Sequence, residues 1–112
     1  MGTLTQRNFN KPDQSMDMGE RIAIDAVDIG GVKVMRVTTE PGWRWSVNTR
    51  PVQKTDSCQI NHLFYVVSGR IAVRDNSGQE IEYGAGDLAH IPPGHDGWTL
   101  GDEPTVWIEI PH

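Results

Sequence analysis

Short apolar stretches that end at turn-forming residues repeat along most of this sequence, and this pattern restricts the fold more than any other feature. Runs such as RIAVRD and TVWIEI alternate apolar and polar residues, and Asn or Pro follows them at once. Alternation with a period of two is typical of strands that bury one face, and no window of helical length carries a sustained apolar stripe. With 12 Gly and 7 Pro in 112 residues, turn residues are abundant. The sequence therefore predicts an all-β sandwich or barrel.

The clearest hairpin has its turn at residues 76–78, where Asn-Ser-Gly separates RIAVRD from QEIEY. A short loop that contains Gly between two alternating strands favours antiparallel pairing. The alternation predicts that Ile71 and Val73 share an inward face with Ile81 and Tyr83, and that the charged residues between them face outward.

Residues 1–19 differ from the rest of the chain because they are polar, lack periodicity and contain Pro12. We predict that residues 1–19 form a flexible N-terminal arm and that residues 20–112 form one domain, which agrees with the length of a chain that has a single small core. The only cysteine is Cys58, so no internal disulfide contributes to the fold.

The charge distribution and the absence of long apolar runs exclude two classes of partner. The formal net charge is −5 and the basic residues are scattered, whereas binding to nucleic acid requires a basic stripe that neutralises phosphates. No apolar run approaches the roughly 18 residues of a membrane helix, and the N-terminus lacks the apolar region of a signal peptide. We expect a cytoplasmic protein that binds neither nucleic acid nor membranes.

Cys58 and His62 lie four residues apart, immediately before the apolar run LFYVVS. On a straight strand, residues with this separation are about 13 Å apart, which is too far to share an ion. A turn at residues 59–61, where Asn61 is a suitable turn residue, brings them together. Two interpretations stay open: the pair is half of a metal site, or Cys58 is a small buried residue of the core.

Two spacing patterns resemble the motifs of the cupin family. Six residues separate His62 from Gly69, as they separate Glu from Gly in the first cupin motif, and Gly86, Pro92 and Gly94 reproduce the spacing of the second motif. The segments EPGWRWS, CQINH and IPPGHDGW resemble those of a subgroup of small bacterial cupins of unassigned function. The resemblance covers nearly the whole domain, and it implies the double-stranded β-helix, or jelly-roll, barrel of that family.

The ligand positions of the cupin motifs hold other residues in this sequence. His62 takes the place of the usual Glu, Cys58 that of the second His and Asp56 that of the first His. The closing His position falls on Gly97, and His95 lies two residues before it. The resemblance implies a site for a divalent transition metal made of Cys58, His62 and His95, with Asp56 as a fourth ligand or as a partner that orients a histidine. Thiolate and imidazole favour zinc over iron or copper, and the alternative for His95 is an ordinary exposed loop position.

Four tryptophans in a chain of this size predict either a well-packed core or a pocket for an apolar small molecule. In WRWSVN, alternation predicts a strand on which Trp43 and Trp45 share a face. Trp98 is close in sequence to His95, and His90 lies in the alternating run DLAHI, where one face lines the barrel. We predict a ligand pocket lined by Trp43, Trp45, His90 and Trp98.

Three functions are compatible with these features. The first is a protein that binds a small molecule and a transition metal inside the barrel, and the second is a metal-dependent enzyme of the oxygenase, isomerase or lyase kinds that cupins include. The third is a metal-free domain that acts through dimerisation. We favour the binding protein, because the usual cupin ligand set is missing and no acid–base pair replaces it, so no catalytic residue is assigned. We also predict a homodimer in which the strand at residues 21–29 adds to a partner's sheet.

Overall fold

Two antiparallel sheets form the barrel in the computed structural model, which describes residues 2–112. The strands are β1 (Gln14–Met16), β2 (Ile22–Ile29), β3 (Val32–Thr39), β4 (His62–Ser68), β5 (Arg70–Asp75), β6 (Glu80–Gly84), β7 (Leu88–Ile91), β8 (His95–Leu100) and β9 (Thr105–Glu109). The larger sheet has the order β1-β2-β3-β9-β4-β7, and the smaller has the order β6-β5-β8. This architecture confirms the all-β jelly-roll barrel predicted from the sequence.

The core lies between the sheets and takes side chains from both of them. Alternate residues of β7, β8 and β9 are buried, as a period of two requires of strands that cover a core. Phe64 on β4 stacks on Trp107 on β9, with ring centroids 4.9 Å apart. The buried apolar cluster consists of Val37, Trp43, Trp45, Cys58, Phe64, Val66, Ile71, Val73, Ala89, Ile91 and Trp107.

The hairpin of β5 and β6 has the predicted register. Ile71 pairs with Tyr83, and Val73 pairs with Ile81. Ile71 and Val73 are buried as predicted, but the predicted inward position of Ile81 is wrong in effect, because β6 is an edge strand and this side chain is 43% exposed. Asp75 holds the turn, because its Oδ1 accepts hydrogen bonds from the backbone N–H groups of Ser77 and Gln79, both at 3.0 Å. An aspartate side chain that bonds the backbone two residues ahead commonly stabilises a turn, and here it helps to fix the register between β5 and β6.

The N-terminal segment contributes a strand to the larger sheet. Within the segment predicted to be a flexible arm, Gln14 pairs with Ala26 and Met16 pairs with Ile24. β2 therefore lies between β1 and β3 and has a neighbour on each side. For this reason the strand predicted to add to a partner's sheet does not present a free edge along these residues.

The segment predicted as a strand at WRWSVN is helical from Trp45 onward, whereas Arg44 is extended and forms an isolated β-bridge with Trp98. A π-helical turn spans Trp45–Thr49, and α1 follows it at Arg50–Gln53, with a proline in its first turn. The helical turns provide acceptors for two indoles, since Trp43 Nε1 donates to Thr49 Oγ1 at 3.0 Å and Trp45 Nε1 donates to the Gln53 side chain at 3.2 Å. No helix within residues 2–112 has the length and apolarity needed to cross a membrane.

We expect Gly69→Ala to destabilise the protein more than Gly86→Ala. Both glycines have positive φ, at 76° and 92°, so alanine is strained at either position. A Cβ at Gly69 would lie 2.3 Å from the carbonyl oxygen of Pro104, whereas a Cβ at Gly86 meets nothing within 4 Å. Overpacking of this kind costs about 1–3 kcal/mol, so the free energy of unfolding in urea should differ by that amount between the variants. Equal values would contradict the close approach at Gly69.

Candidate metal centre

Cys58, His62 and His95 come together where β4 and β8 begin. His62 is the first residue of β4, and His95 is the first residue of β8. The backbone N–H of Cys58 donates to the carbonyl of His95 at 2.8 Å, which joins the two segments. Residues 59–61 are irregular, and Cys58 Sγ lies 3.8 Å from His62 Nε2. The chain therefore bends between Cys58 and His62, as a shared metal site requires.

The three side chains offer donor atoms at distances that fit a transition metal. One donor atom from each lies within 4.8 Å of the other two. In a tetrahedral zinc site, with Zn–S of about 2.3 Å and Zn–N of about 2.0–2.1 Å, sulfur and nitrogen are about 3.5 Å apart. The 3.8 Å between Cys58 Sγ and His62 Nε2 is close to this separation. The other donor separations, which lie within 4.8 Å, must shorten toward the same value, so zinc fits the group once the side chains close around it.

Both histidines are held by hydrogen bonds from their other ring nitrogen. His62 Nδ1 lies 2.8 Å from Glu109 Oε1, and His95 Nδ1 lies 2.8 Å from the carbonyl oxygen of Pro92. A carbonyl and an ionised carboxylate only accept hydrogen bonds, so each Nδ1 carries the proton and each Nε2 is the nitrogen left to bind a metal. Carboxylate and carbonyl partners of this kind are typical of metal-binding histidines.

Glu109 is a site residue that the sequence analysis did not assign. Its Oε1 also accepts a hydrogen bond from Trp107 Nε1 at 2.9 Å, so one carboxylate oxygen links the indole of Trp107 to the imidazole of His62. Glu109 occupies the same inward parity as Trp107 on β9, and this alternation was visible in TVWIEI. A carboxylate on the inward face of a predicted strand was therefore the sequence signal that could have identified Glu109 as a site residue.

A cavity of about 210 Å³ in the barrel interior includes all three donor residues in its wall. Trp43 and Trp45, both predicted for the pocket, line it. Met16 and Met18, which belong to the N-terminal segment, also contribute to the wall. A small molecule in this cavity would contact the donor group and the tryptophans together.

Sequence comparison identifies the family. The profile of Cupin_2, the Cupin domain, matches residues 54–111, which is more than half of the chain. The chain belongs to the cupin family. The matched segment contains the whole donor group and its carboxylate partner Glu109. No curated protein matches the sequence.

Solved structures with the same fold have low sequence identity to this cupin. A protein of unknown function from Acidithiobacillus ferrooxidans has a TM-score of 0.65 at 18% identity, covering 89% of this chain and 88% of its own. The polyketide cyclase RemF from Streptomyces resistomycificus has a TM-score of 0.67 at 13% identity, covering 96% and 78%. A cupin-like protein from Thermotoga maritima has a TM-score of 0.54 at 20% identity, covering 87% and 79%. At these identities the likeness concerns the fold.

Three residues predicted for the site lie elsewhere in this cupin. The Asp56 side chain is fully exposed and bonds to Arg50 at 3.3 Å, so it is not part of the donor group. His90 points outward on β7, where its buried neighbours Ala89 and Ile91 face the core, and it borders a separate cavity of about 110 Å³. Trp98 also faces outward.

The outward position of Trp98 follows from the register of β8. The buried residues of this strand have the parity of His95, and Trp98 has the opposite parity. Its ring lies beneath the guanidinium of Arg44, with 4.2 Å between Arg44 Cζ and the ring centroid. Arg44 is paired in turn with Asp96 at 3.5 Å. Trp98 therefore belongs to a surface cation–π arrangement and does not line the cavity.

The donor group of the cupin is charged near neutral pH when it holds no metal. Burial raises the pKa of the Cys58 thiol, but hydrogen bonds with His62 and His95 act against burial and lower this pKa to about 6. Burial lowers the pKa of His62, whereas its hydrogen bonds with Cys58 and Glu109 raise this pKa to about 9. Cys58 and His62 therefore form a thiolate–imidazolium pair, and a metal ion on His62 Nε2 takes the place of the proton there.

Proposed function

We propose that this cupin binds one divalent transition metal, zinc by preference, through Cys58, His62 and His95, and a small molecule in the adjoining cavity. The observation that carries this proposal is the convergence of one thiol and two imidazoles within 4.8 Å of one another. The Nδ1 atoms of His62 and His95 are already hydrogen-bonded to Glu109 and to the carbonyl of Pro92, which supports Nε2 as the ligand atom of each histidine. One thiolate with two imidazoles is a donor set that zinc accepts readily.

Metal content of the full chain tests this proposal. Tag-free protein, purified without chelators and then reloaded with zinc, should contain close to one zinc ion per chain by inductively coupled plasma mass spectrometry. Iron, copper, nickel and manganese are measured in the same samples, so that a preference for another metal is detected. Protein that holds no transition metal after reloading would overturn the proposal and return Cys58 to the role of a buried core residue.

A metal-dependent enzyme is the second candidate, and one specific observation favours it. Three protein donors leave a fourth position for water or substrate, and the donor residues line a cavity. A metal in such a site supplies Lewis-acid chemistry and lowers the pKa of a bound water. The polyketide cyclase RemF supports the idea that a barrel of this shape can accommodate catalysis. Screening hydrolytic and oxygenase substrates with zinc-loaded protein tests it, and turnover that persists in Cys58→Ala would argue against this site.

We also propose a cytoplasmic homodimer. Tyr65, Val67 and Leu88 are exposed apolar side chains, and Tyr65 pairs directly with Leu88 across β4 and β7. β7 is an edge strand of the larger sheet, and exposed apolar edges are normally covered in stable proteins. Sedimentation velocity at micromolar concentration should show a dimer, and Leu88→Lys should shift it toward monomer. A monomeric wild-type protein would remove this part of the proposal.

A further inference from the structure

We infer that the cavity takes an uncharged compound of one or two rings that carries a single oxygen or nitrogen donor at one end. This inference rests on the proposed function, because the donor atom is directed at the group formed by Cys58, His62 and His95. It adds a ligand class to the site, derived from the size of the cavity, its charges and the direction of its polar atoms.

The volume of the cavity limits the ligand to a small ring system. It measures about 210 Å³. An apolar cavity of about 150 Å³ is sufficient for benzene. The additional volume accommodates ring substituents or a second fused ring, but not a sugar nucleotide or a peptide. Met16, Met18 and Met35 form part of the wall, and their flexible side chains can adapt to the outline of such a ring.

The polar atoms of the tryptophan walls are already used within the protein. The indole N–H of Trp43 donates to Thr49, that of Trp45 donates to Gln53, and that of Trp107 donates to Glu109. These walls therefore present their apolar ring faces to a ligand and offer it no free donor. Thr49 and Gln53 also line the cavity, but their side-chain oxygens are engaged by the indoles of Trp43 and Trp45. The Cys58–His62–His95 group is the main polar region of the cavity, and the donor atom of the ligand is directed at it.

The charges around the cavity disfavour an ionic ligand. No Lys or Arg is found among the described residues that line it. The one carboxylate in the wall, Glu109, is bonded to both His62 and Trp107. The two positive charges of a divalent ion at the donor group would be balanced by the Cys58 thiolate and the Glu109 carboxylate, so a carboxylate ligand would lose its hydration without gaining a net positive charge or a lysine or arginine partner. A cationic ligand would find no free anion beyond the metal-binding group. Burial of an unpaired charge is costly, so an uncharged ligand fits best.

Three probes that share one ring system test this inference: 2-naphthol, naphthalene and 2-naphthoate. Titration calorimetry at pH 7 on the full chain should show 2-naphthol binding at least about tenfold more tightly than 2-naphthoate, because the carboxylate loses hydration. Zinc loading should increase the advantage of 2-naphthol over naphthalene, since only 2-naphthol carries the donor atom. Equal or tighter binding of 2-naphthoate, or no binding of any probe, would overturn the inference.

The four tryptophans report where the probe binds. The indole N–H signals of Trp43, Trp45 and Trp107 should shift in ¹H–¹⁵N spectra when 2-naphthol is added, because these rings line the cavity. The signal of Trp98 should not move, since Trp98 lies on the outer face beneath Arg44. A shift confined to Trp98 would place the probe on the surface and overturn the inference.

A matched pair of variants tests occupancy of the cavity. Val37 is buried in the cavity wall and Val32, on the same strand β3, is exposed and lies outside that wall, so Val37→Phe fills the cavity and Val32→Phe makes the same change outside it. We expect Val37→Phe to weaken 2-naphthol binding at least about tenfold and Val32→Phe to leave it unchanged. If Val37→Phe fails to fold, the wild-type titrations and spectra still decide. Binding of 2-naphthol to protein that takes up no zinc would overturn the metal proposal alone.

Discussion

Cys58→Ala is expected to reduce the affinity of the protein for zinc by more than about 100-fold. Loss of a partner that only orients a metal ligand already costs about 10–100-fold, and Cys58 supplies the donor atom itself. The affinity is measured by competition with a chromophoric chelator. Cobalt substitution gives a second readout, because the thiolate-to-cobalt absorption of wild-type protein should vanish in the variant. Asp56→Ala is the control, since this carboxylate is two residues away and fully exposed.

A matched pair of histidines sharpens this prediction. His62→Ala should weaken zinc binding as Cys58→Ala does. His90→Ala should leave zinc binding unchanged, although His90 on β7 pairs with Leu63, the residue that follows His62 on β4. Glu109→Gln should weaken zinc binding by about 10–100-fold, because the amide orients His62 less strongly than the carboxylate. Wild-type affinity in both Cys58→Ala and His62→Ala would contradict the assignment of the donor group.

The fold could be predicted from the sequence because its signals are local. Alternation in RIAVRD and QEIEY, with a Gly-containing turn between them, predicts the pairing of β5 and β6 and the inward positions of Ile71 and Val73, although Ile81 on the edge strand is exposed. The segment WRWSVN shows the limit of this reasoning. Its alternation is real, but Asn48 Oδ1 accepts a hydrogen bond from the backbone N–H of Arg44 at 2.9 Å, and the chain turns into a helix before Pro51. Side-chain bonds to nearby backbone compete with strand formation.

The site was predicted less completely than the fold. Alternation shows which side chains of a strand share a face, but it does not show which of the two faces points into the barrel. His90 and Leu88 share a face, as the sequence analysis assumed, yet that face is exposed and the small residue Ala89 points inward. Trp98 has the same explanation, since Gly97 occupies the inward position and the large ring lies outside. Large apolar side chains are normally expected on the buried face, and the burial of Ala89 and Gly97 is the opposite of this expectation. The inward face was decided by packing across the barrel, which a single strand does not reveal.

The motif positions had a different limitation. The first-His place of the cupin motif falls on Asp56, but the chain between this residue and β4 is irregular, and the side chain turns to Arg50 and solvent. His95 lies two residues before the closing His position of the motif. It still reaches the donor group, because its backbone forms a β-bridge with that of Cys58. Spacing in sequence therefore located the segments that meet, while hydrogen bonds between distant segments decided which side chains converge.

The second large effect concerns the protonation of Cys58 in metal-free protein. The thiolate should form with a midpoint near pH 6, well below the ordinary value of 9.0 for cysteine. Because deprotonation increases with pH, a lowered pKa means that the thiolate predominates at pH 7 and persists at every higher pH. The ultraviolet absorbance of the thiolate measures this directly, and the spectrum of Cys58→Ala at each pH is subtracted to remove the tyrosine signal. A midpoint near pH 9 in wild-type protein would contradict the geometry of the pair.

The cause of this shift can be separated from burial with one substitution. His62→Ala removes the imidazolium that bonds the thiolate but leaves Cys58 buried, so the raising effect of burial is less opposed. A nearby opposite charge changes a pKa by about 1–3 units, and the thiolate midpoint should rise by that amount. Glu109→Gln should raise it less, because Glu109 acts on His62 rather than on the thiol. His90→Ala is the control and should not change it. A midpoint unmoved by His62→Ala would mean that another group holds the thiolate.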